Sequence, residues 1–214
     1  MELSSNESIA ILTFPEHPEY PRLSPDILAE LRERLRAIQS AACFEGLVIA
    51  ANSRSFATGA RIEDVSRLSG VGAFDFARLG QAVLQEVARS PIPIVAAIRG
   101  FCLGGGLDLA LASGSRVAAY DASFGYPGAG LGLLTGWGGT GRLPRLVGRG
   151  QALQMFVTGE RVPATQALTL GLVEELVSSA DLIASAARRA RRMAVEAGLT
   201  RPSRGVEGDP FTSV

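Results

Sequence analysis

The sequence predicts an α/β fold. Two observations carry that expectation. Apolar runs of strand length alternate with helical stretches along the 214 residues. One of those runs, Ile92 to Ile98, leads into Arg99-Gly-Phe-Cys-Leu-Gly-Gly-Gly-Leu-Asp-Leu-Ala-Leu-Ala-Ser113, which reads as strand, glycine turn and helix. Gly104, Gly105 and Gly106 permit close approaches that a Cβ would block, and the residues from Leu107 favour helix. The first N–H groups of such a helix have no partner within it and lie at the positive end of its dipole. They suit an anion, or an oxygen that becomes one during a reaction. Asp108 follows Gly105 by about one turn, near the same helix face. Spacing rules out two phosphate-binding loops. A Gly-x-Gly-x-x-Gly pattern starting at Gly104 would end on Leu109, and a P-loop would need Lys and Ser or Thr where Leu107 and Asp108 stand.

In chain order, Ser8 to Phe14 reads as a first strand, broken by the proline-rich loop from Pro15 to Pro21. Ser24 is an N-cap with Pro25 at the first helical position, and Ile27, Leu28, Leu31, Leu35 and Ile38 form an apolar stripe. Glu30, Arg32, Glu33, Arg34 and Arg36 make its solvated face. Gly46 to Ala51 reads as a buried strand, Asn52 to Ala60 as a polar turn and Arg61 to Leu68 as a short helix. Gly70-Val-Gly72 reads as a flexible break before an amphipathic helix from Phe74 to Arg89. Beyond the glycine turn, Arg116 to Tyr120 is a strand, and Ser123 to Gly141 is glycine-rich and expected to form loops, Trp137 among them. Helices follow at Gln151 to Val157 and Ala164 to Leu170, a short strand at Leu172 to Val177, and a last helix at Ala180 to Ala197 that carries Arg188, Arg189, Arg191 and Arg192. No internal repeat is visible. The expected organisation is a core domain over residues 1–197 and a polar tail over 198–214, expected to be disordered.

Composition narrows the chemistry. A hydrophobic fraction of 47% suits a folded chain, and a formal net charge of zero argues against a nucleic-acid partner. All 21 basic residues are arginine, which excludes Schiff-base and lysine-base mechanisms. His17, the sole histidine, reads as a solvated loop residue, so a Ser-His-Asp triad and a multi-histidine metal site are disfavoured. Cys43 and Cys102 have no metal-ligand spacing, and Cys102, beside the glycine turn, reads as a small buried apolar residue in preference to a nucleophile. The N-terminus shows no signal-peptide pattern and no apolar run is of membrane-spanning length, so no membrane partner and a cytoplasmic location are expected.

Three separated blocks resemble the enoyl-CoA hydratase/isomerase (crotonase) family. Ser55-Phe-Ala-Thr-Gly-Ala-Arg-Ile62 is similar to its Ala-Phe-x-x-Gly-Ala-Asp-Ile loop, and Gly100 to Ala110 to its Gly-x-x-x-Gly-Gly-Gly-x-Glu/Asp-Leu-Ala segment. The third comprises Phe124-Gly-Tyr-Pro, Gly132 and Gly138-Gly-Thr-Gly-Arg-Leu-Pro-Arg-Leu-Val-Gly148, extended by Thr158-Gly-Glu-Arg and Ala167 to Val173. The resemblance covers about residues 8–195. It implies a crotonase-like spiral of β-β-α units, assembled as a homotrimer or hexamer. It also implies an acyl thioester ligand, on coenzyme A or an acyl-carrier protein, with no cofactor beyond the coenzyme A of the substrate. Carried over by position, the N–H groups of Ala60 and Gly105 polarise the thioester carbonyl. The expected substrate contacts are Ser55 and Ala57 at the adenine end, with Gly104, Tyr126 and Gly128.

The departures matter as much. The hydratase pattern carries two glutamates. The first is Asp108 here, one methylene shorter, and is assigned general acid/base work against the alternative of an exposed first-turn residue that favours the dipole. The second is Gly128, which carries no acid. Further acids used by dienoyl-CoA isomerases would fall at Gly128 and Gly136, and Arg61 replaces the usual aspartate of the first block. Substitute acids are sought in Glu63, Asp64 and Asp75, and a hydrogen-bond donor in Tyr126. The family's C-terminal helical region is expected to be shortened or absent after Ala197. Weak hydration of a 2-enoyl-CoA is the expected activity. The alternatives are isomerisation, decarboxylation or hydrolysis on the same scaffold, or a degenerate thioester-binding protein.

Overall fold

The structure is a computed structural model that describes residues 1–16, 20–41, 43–51 and 54–199. The expectations for His17 and for the tail beyond Leu199 lie outside the described residues. Strands β1 (Glu2–Asn6), β2 (Ile9–Phe14), β3 (Gly46–Ala51), β4 (Ile94–Ile98), β6 (Ser115–Ala119) and β9 (Glu175–Val177) form a six-stranded sheet in the order β1-β2-β3-β4-β6-β9. The β1–β2 pair is antiparallel and every other pair is parallel. Strands β2, β3 and β4 are near-continuous apolar runs because both sheet faces are covered. Side chains alternate between them: Ile9, Val48, Val95 and Val117 pack with α8 (Leu182–Glu196), whereas Leu12, Ile49, Ala96 and Ala118 join the larger core. Ala186, Ala187 and Ala190 let α8 lie close to the sheet.

A second, three-stranded sheet carries the functional geometry. It contains β5 (Phe101–Leu103), β7 (Ser123–Gly125) and β8 (Val162–Pro163), extended by an isolated parallel bridge from Ala57 to Cys102. Ala57, Cys102, Phe124 and Val162 therefore stand side by side in one row. The chain repeats one path: a strand of the large sheet, a short extended segment of the small one, then helix. β3, Ala57 and α2 (Ile62–Ser66) with α3 (Gly70–Ala88) make one turn. β4, β5 and α4 (Gly105–Ala112) make the next. β6, β7 and α5 (Gly139–Val147) with α6 (Arg149–Thr158) make another. This is the expected spiral of β-β-α units. Its repeat is invisible in the sequence because the short segments are only a few residues long.

The helix α1 (Pro25–Ser40) starts as predicted, with the Ser24 hydroxyl accepting from the Ile27 N–H at 3.3 Å and Leu28, Leu31, Leu35 and Ile38 buried. Its polar face is not simply solvated. Arg32 and Arg36 both donate to Glu86 of α3, at 2.8 Å and 3.1 Å from their Nε atoms. Gly70-Val-Gly72 is no break but the first turn of α3, because the Ser69 hydroxyl caps the Gly72 N–H at 3.1 Å. The stretch Ser123 to Gly141 is more ordered than its glycines suggest: it holds β7, a 3₁₀ turn (Pro127–Leu131) and the start of α5. Helix α4 begins at Gly105 rather than Leu107. α7 (Ala164–Thr169) and β9 lie within their predicted segments.

Gly106 fixes how tightly the first two turns of the spiral pack. A Cβ there would overlap the Ala57 carbonyl, which accepts from the Leu103 N–H at 3.0 Å. Gly106→Ala should therefore destabilise the fold by about 1–3 kcal/mol, the usual cost of overpacking a core. Denaturant unfolding with an unchanged midpoint would contradict this packing.

Candidate functional site

A cavity of about 510 Å³ lies between α2 and α3, the turns Thr58–Ala60 and Gly104–Gly105, and the segment 126–137. Ile62, Val65, Phe76, Leu131 and Leu134 make much of its wall apolar. Ala60, Gly104, Gly105, Asp108, Tyr126 and Gly128, all expected at the site, line it together. Ser55 and Ala57 do not. They are 3% and 0% exposed, held in the seam beside β5, where the Ser55 hydroxyl accepts from the Phe101 N–H at 3.2 Å and the Ala57 N–H donates to the Phe101 carbonyl at 3.2 Å. Pairing with β5 covers the side chains of both residues. Glu63 and Asp64 lie in α2 and Asp75 in α3, but none of the three lines the cavity.

The two glycine turns meet. Gly59 has φ of 76° and Gly104 φ of 54°, values that favour glycine. A Cβ on Gly59 would lie 2.7 Å from the Gly105 nitrogen, so the backbones are in direct contact. The Leu23 N–H donates to the Gly59 carbonyl at 2.9 Å and the Thr58 N–H to the Pro21 carbonyl at 3.1 Å, which fixes the first turn from behind. Gly105 opens α4, so its N–H belongs to the unpaired first turn. Among the described residues, no hydrogen bond engages the N–H of Ala60 or of Gly105. Two donors on touching turns can serve one oxygen.

Asp108 is buried at 0% exposure, which removes the reading of an exposed first-turn residue. Its Oδ1 accepts from the Tyr126 hydroxyl at 2.8 Å. Its Oδ2 accepts from the Thr135 hydroxyl and from the Trp137 N–H, the latter at 3.1 Å. Gly139, the first residue of α5, approaches so closely that a Cβ would overlap both Asp108 Oδ1 and the Tyr126 hydroxyl. Burial pushes the Asp108 carboxyl above its ordinary pKa, against the opposing pull of Thr135, Tyr126, Trp137 and the Arg142 charge. Burial and the Asp108 charge push the Tyr126 phenol well above its usual range. Burial likewise raises the Cys102 thiol, consistent with its place as a 0% exposed core residue.

Sequence reasoning missed Thr135, and it left Trp137 in a loop without a role. The Trp137 indole lies against two glycines, Gly80 of α3 and Gly105, and a Cβ at either would overlap the ring. Phe76 packs edge-on to it, with centroids 5.2 Å apart at 88°. Arg142 donates to the Trp137 carbonyl at 2.9 Å and Gln81 to the Gly136 carbonyl at 2.8 Å. A signal was present. A lone tryptophan in a glycine-rich stretch needs a wall to pack on, and a glycine inside a helix, Gly80, marks a close approach.

Known proteins resemble this chain in sequence and in fold. A family model described as enoyl-CoA hydratase/isomerase matches residues 4–200. The chain is 36% identical over 192 residues to a crotonyl-CoA hydratase of Syntrophomonas wolfei, covering 89% of this chain and 74% of that one. Among solved structures, DspI of Pseudomonas aeruginosa superposes with a TM-score of 0.85 at 31% identity, covering 91% of this chain and 80% of DspI. An enoyl-CoA hydratase from Bacillus anthracis gives 0.85 at 30%, covering 90% and 76%. No helix among the described residues is long and apolar enough to cross a membrane.

The raised Asp108 pKa sets a stability test. The folded chain holds this proton more tightly than the unfolded chain, so stability falls as pH rises between the ordinary aspartate value of about 3.9 and the raised one. Above that window the ionised, buried carboxyl is a net cost that Asp108→Asn lacks. Unfolding measured across pH should show wild type losing stability relative to Asp108→Asn through this window. A difference independent of pH would contradict the buried, upward-shifted carboxyl.

Proposed function

The chain belongs to the enoyl-CoA hydratase/isomerase family, and we propose that it hydrates short 2-enoyl thioesters of coenzyme A, or of an acyl-carrier protein, within a homotrimer or paired trimers. The observation that carries this reading is the contact between the Gly59 and Gly105 turns with Asp108 one helical turn beyond. The N–H groups of Ala60 and Gly105 hold the thioester oxygen and stabilise the enolate that forms when water attacks the β-carbon. One such donor typically contributes about 3 kcal/mol of transition-state stabilisation. Asp108 manages the protons. The apolar wall at Ile62, Phe76 and Leu134 accepts the acyl group.

A second reading, a thioester-binding protein with little turnover, is favoured by one observation. Asp108 is sealed by three donors, and no acid stands at Gly128 to assist it. The two readings separate in one assay series. Asp108→Asn should lower hydration of a short 2-enoyl-CoA by about 10²-fold or more, the scale of general acid–base catalysis, with ligand affinity nearly unchanged. Gly128→Glu should raise the rate. The φ of Gly128 is outside the left-handed region, and a Cβ would sit 3.3 Å from that of Leu133, a tight but exposed neighbour. Equal turnover in wild type and Asp108→Asn would move the chemistry to another acid. Binding without hydration by wild type would favour the second reading.

A further inference from the structure

The sealed position of Asp108 raises a question of access. Asp108 borders the cavity but is 0% exposed, so protons pass most directly through the groups that touch its carboxyl, and the described residues supply three such donors. The Trp137 contact is a backbone N–H, which has no lone pair to pass a proton through. The Tyr126 hydroxyl sits on Oδ1, but although the residue borders the cavity it is 4% exposed, and its oxygen is packed closely against Gly139. Thr135 differs. It is half-buried, it lines the cavity, and its hydroxyl donates to Asp108 Oδ2. A hydroxyl has one hydrogen and two acceptor lone pairs, so while donating to Asp108 it can accept from a water in the cavity.

We propose that Thr135 is a further residue of the reaction, passing protons between the cavity and Asp108 so that one carboxyl serves both proton steps. This rests on the hydration reading above. Water bonds through its oxygen to the β-carbon and gives a proton to the Thr135 oxygen, whose own hydrogen moves to the Asp108 carboxylate. The π electrons of the double bond move into the enolate held by Ala60 and Gly105. The proton then returns from Asp108 through Thr135 to the α-carbon as the enolate collapses. Hydroxyl and hydrogen have been added across the double bond, and Asp108 is again ionised. No second acid is required, which accounts for a site whose positions 128 and 136 are both glycine.

The test uses the whole chain and begins without substrate. Protonated Asp108 has a carboxylic C=O stretching band in the infrared, identified by its loss in Asp108→Asn. Its deuterium shift is followed after mixing into heavy water at a pH where the band is present. Wild type and Thr135→Ser should exchange alike. Thr135→Val, which keeps the volume and removes the hydroxyl, should exchange about tenfold or more slowly, as expected for losing a hydrogen-bonded route. Thr135→Ala is a second hydroxyl-free variant, and the emission of Trp137 with the melting temperature establishes that each variant keeps the folded site. Equal exchange in Thr135→Val and wild type overturns the proposal. With a short 2-enoyl-CoA, Thr135→Val should lower kcat by about 10²-fold with KM little changed, and Thr135→Ser should restore it. A structural role would lower the melting temperature and leave the exchange rate and kcat alone. If wild type binds a saturated acyl-CoA but hydrates no enoyl-CoA, the hydration reading fails while the exchange rates still decide the role of Thr135.

Discussion

Two backbones touch at Gly59 and Gly105, and the site depends on that contact. It requires glycine at both positions, a left-handed backbone at Gly59, and parallel pairing of Ala57 with Cys102 to bring the two turns to the same level. The small sheet thus works as a ruler. Each short segment sets the height at which its following helix or turn begins, so donors from separate turns of the spiral arrive side by side. Because the donors are main-chain, side-chain change nearby leaves both N–H groups in place.

Around that contact the polar groups are arranged by a single carboxyl. Asp108 collects Tyr126 from the turn after β7, and Thr135 and Trp137 from the segment before α5, with the N-terminus of α5 close by at Gly139. Burial raises its pKa while the donors and Arg142 oppose the rise. Trp137 adds an apolar lock, its ring laid on Gly80 and Gly105, so the segment that supplies Thr135 is tied to both α3 and α4. Under the proposed hydration, catalytic and structural demands meet in Asp108, and glycine at position 128 leaves it without a second acid.

The long elements were legible in the sequence because their patterns span many residues. The stripe of α1, its Ser24 cap and the apolar runs of β2, β3 and β4 are examples. The β1 strand was missed because its residues are polar and exposed, and β5 and β8 because they are too short to show a period. The glycines at 70 and 72 read as a break, since local propensity ignores the Ser69 cap. At the site, the two turns and Asp108 were readable from motif order. The burial of Asp108 and the roles of Thr135 and Trp137 were not, because they arise from contacts between segments 18 to 29 residues apart along the chain. Ser55 and Ala57 resemble ligand contacts by position, and the burial of their side chains beside β5 was not legible from the motif.

The central claim is that Ala60 and Gly105 jointly polarise a thioester carbonyl. Infrared difference spectroscopy of a bound acyl-CoA, ¹³C-labelled at the carbonyl, measures that polarisation directly. The account predicts that the labelled C=O stretch moves to lower frequency on binding and that the shift survives in Asp108→Asn, since the backbone donors remain. A bound carbonyl that vibrates at its frequency in water would contradict it.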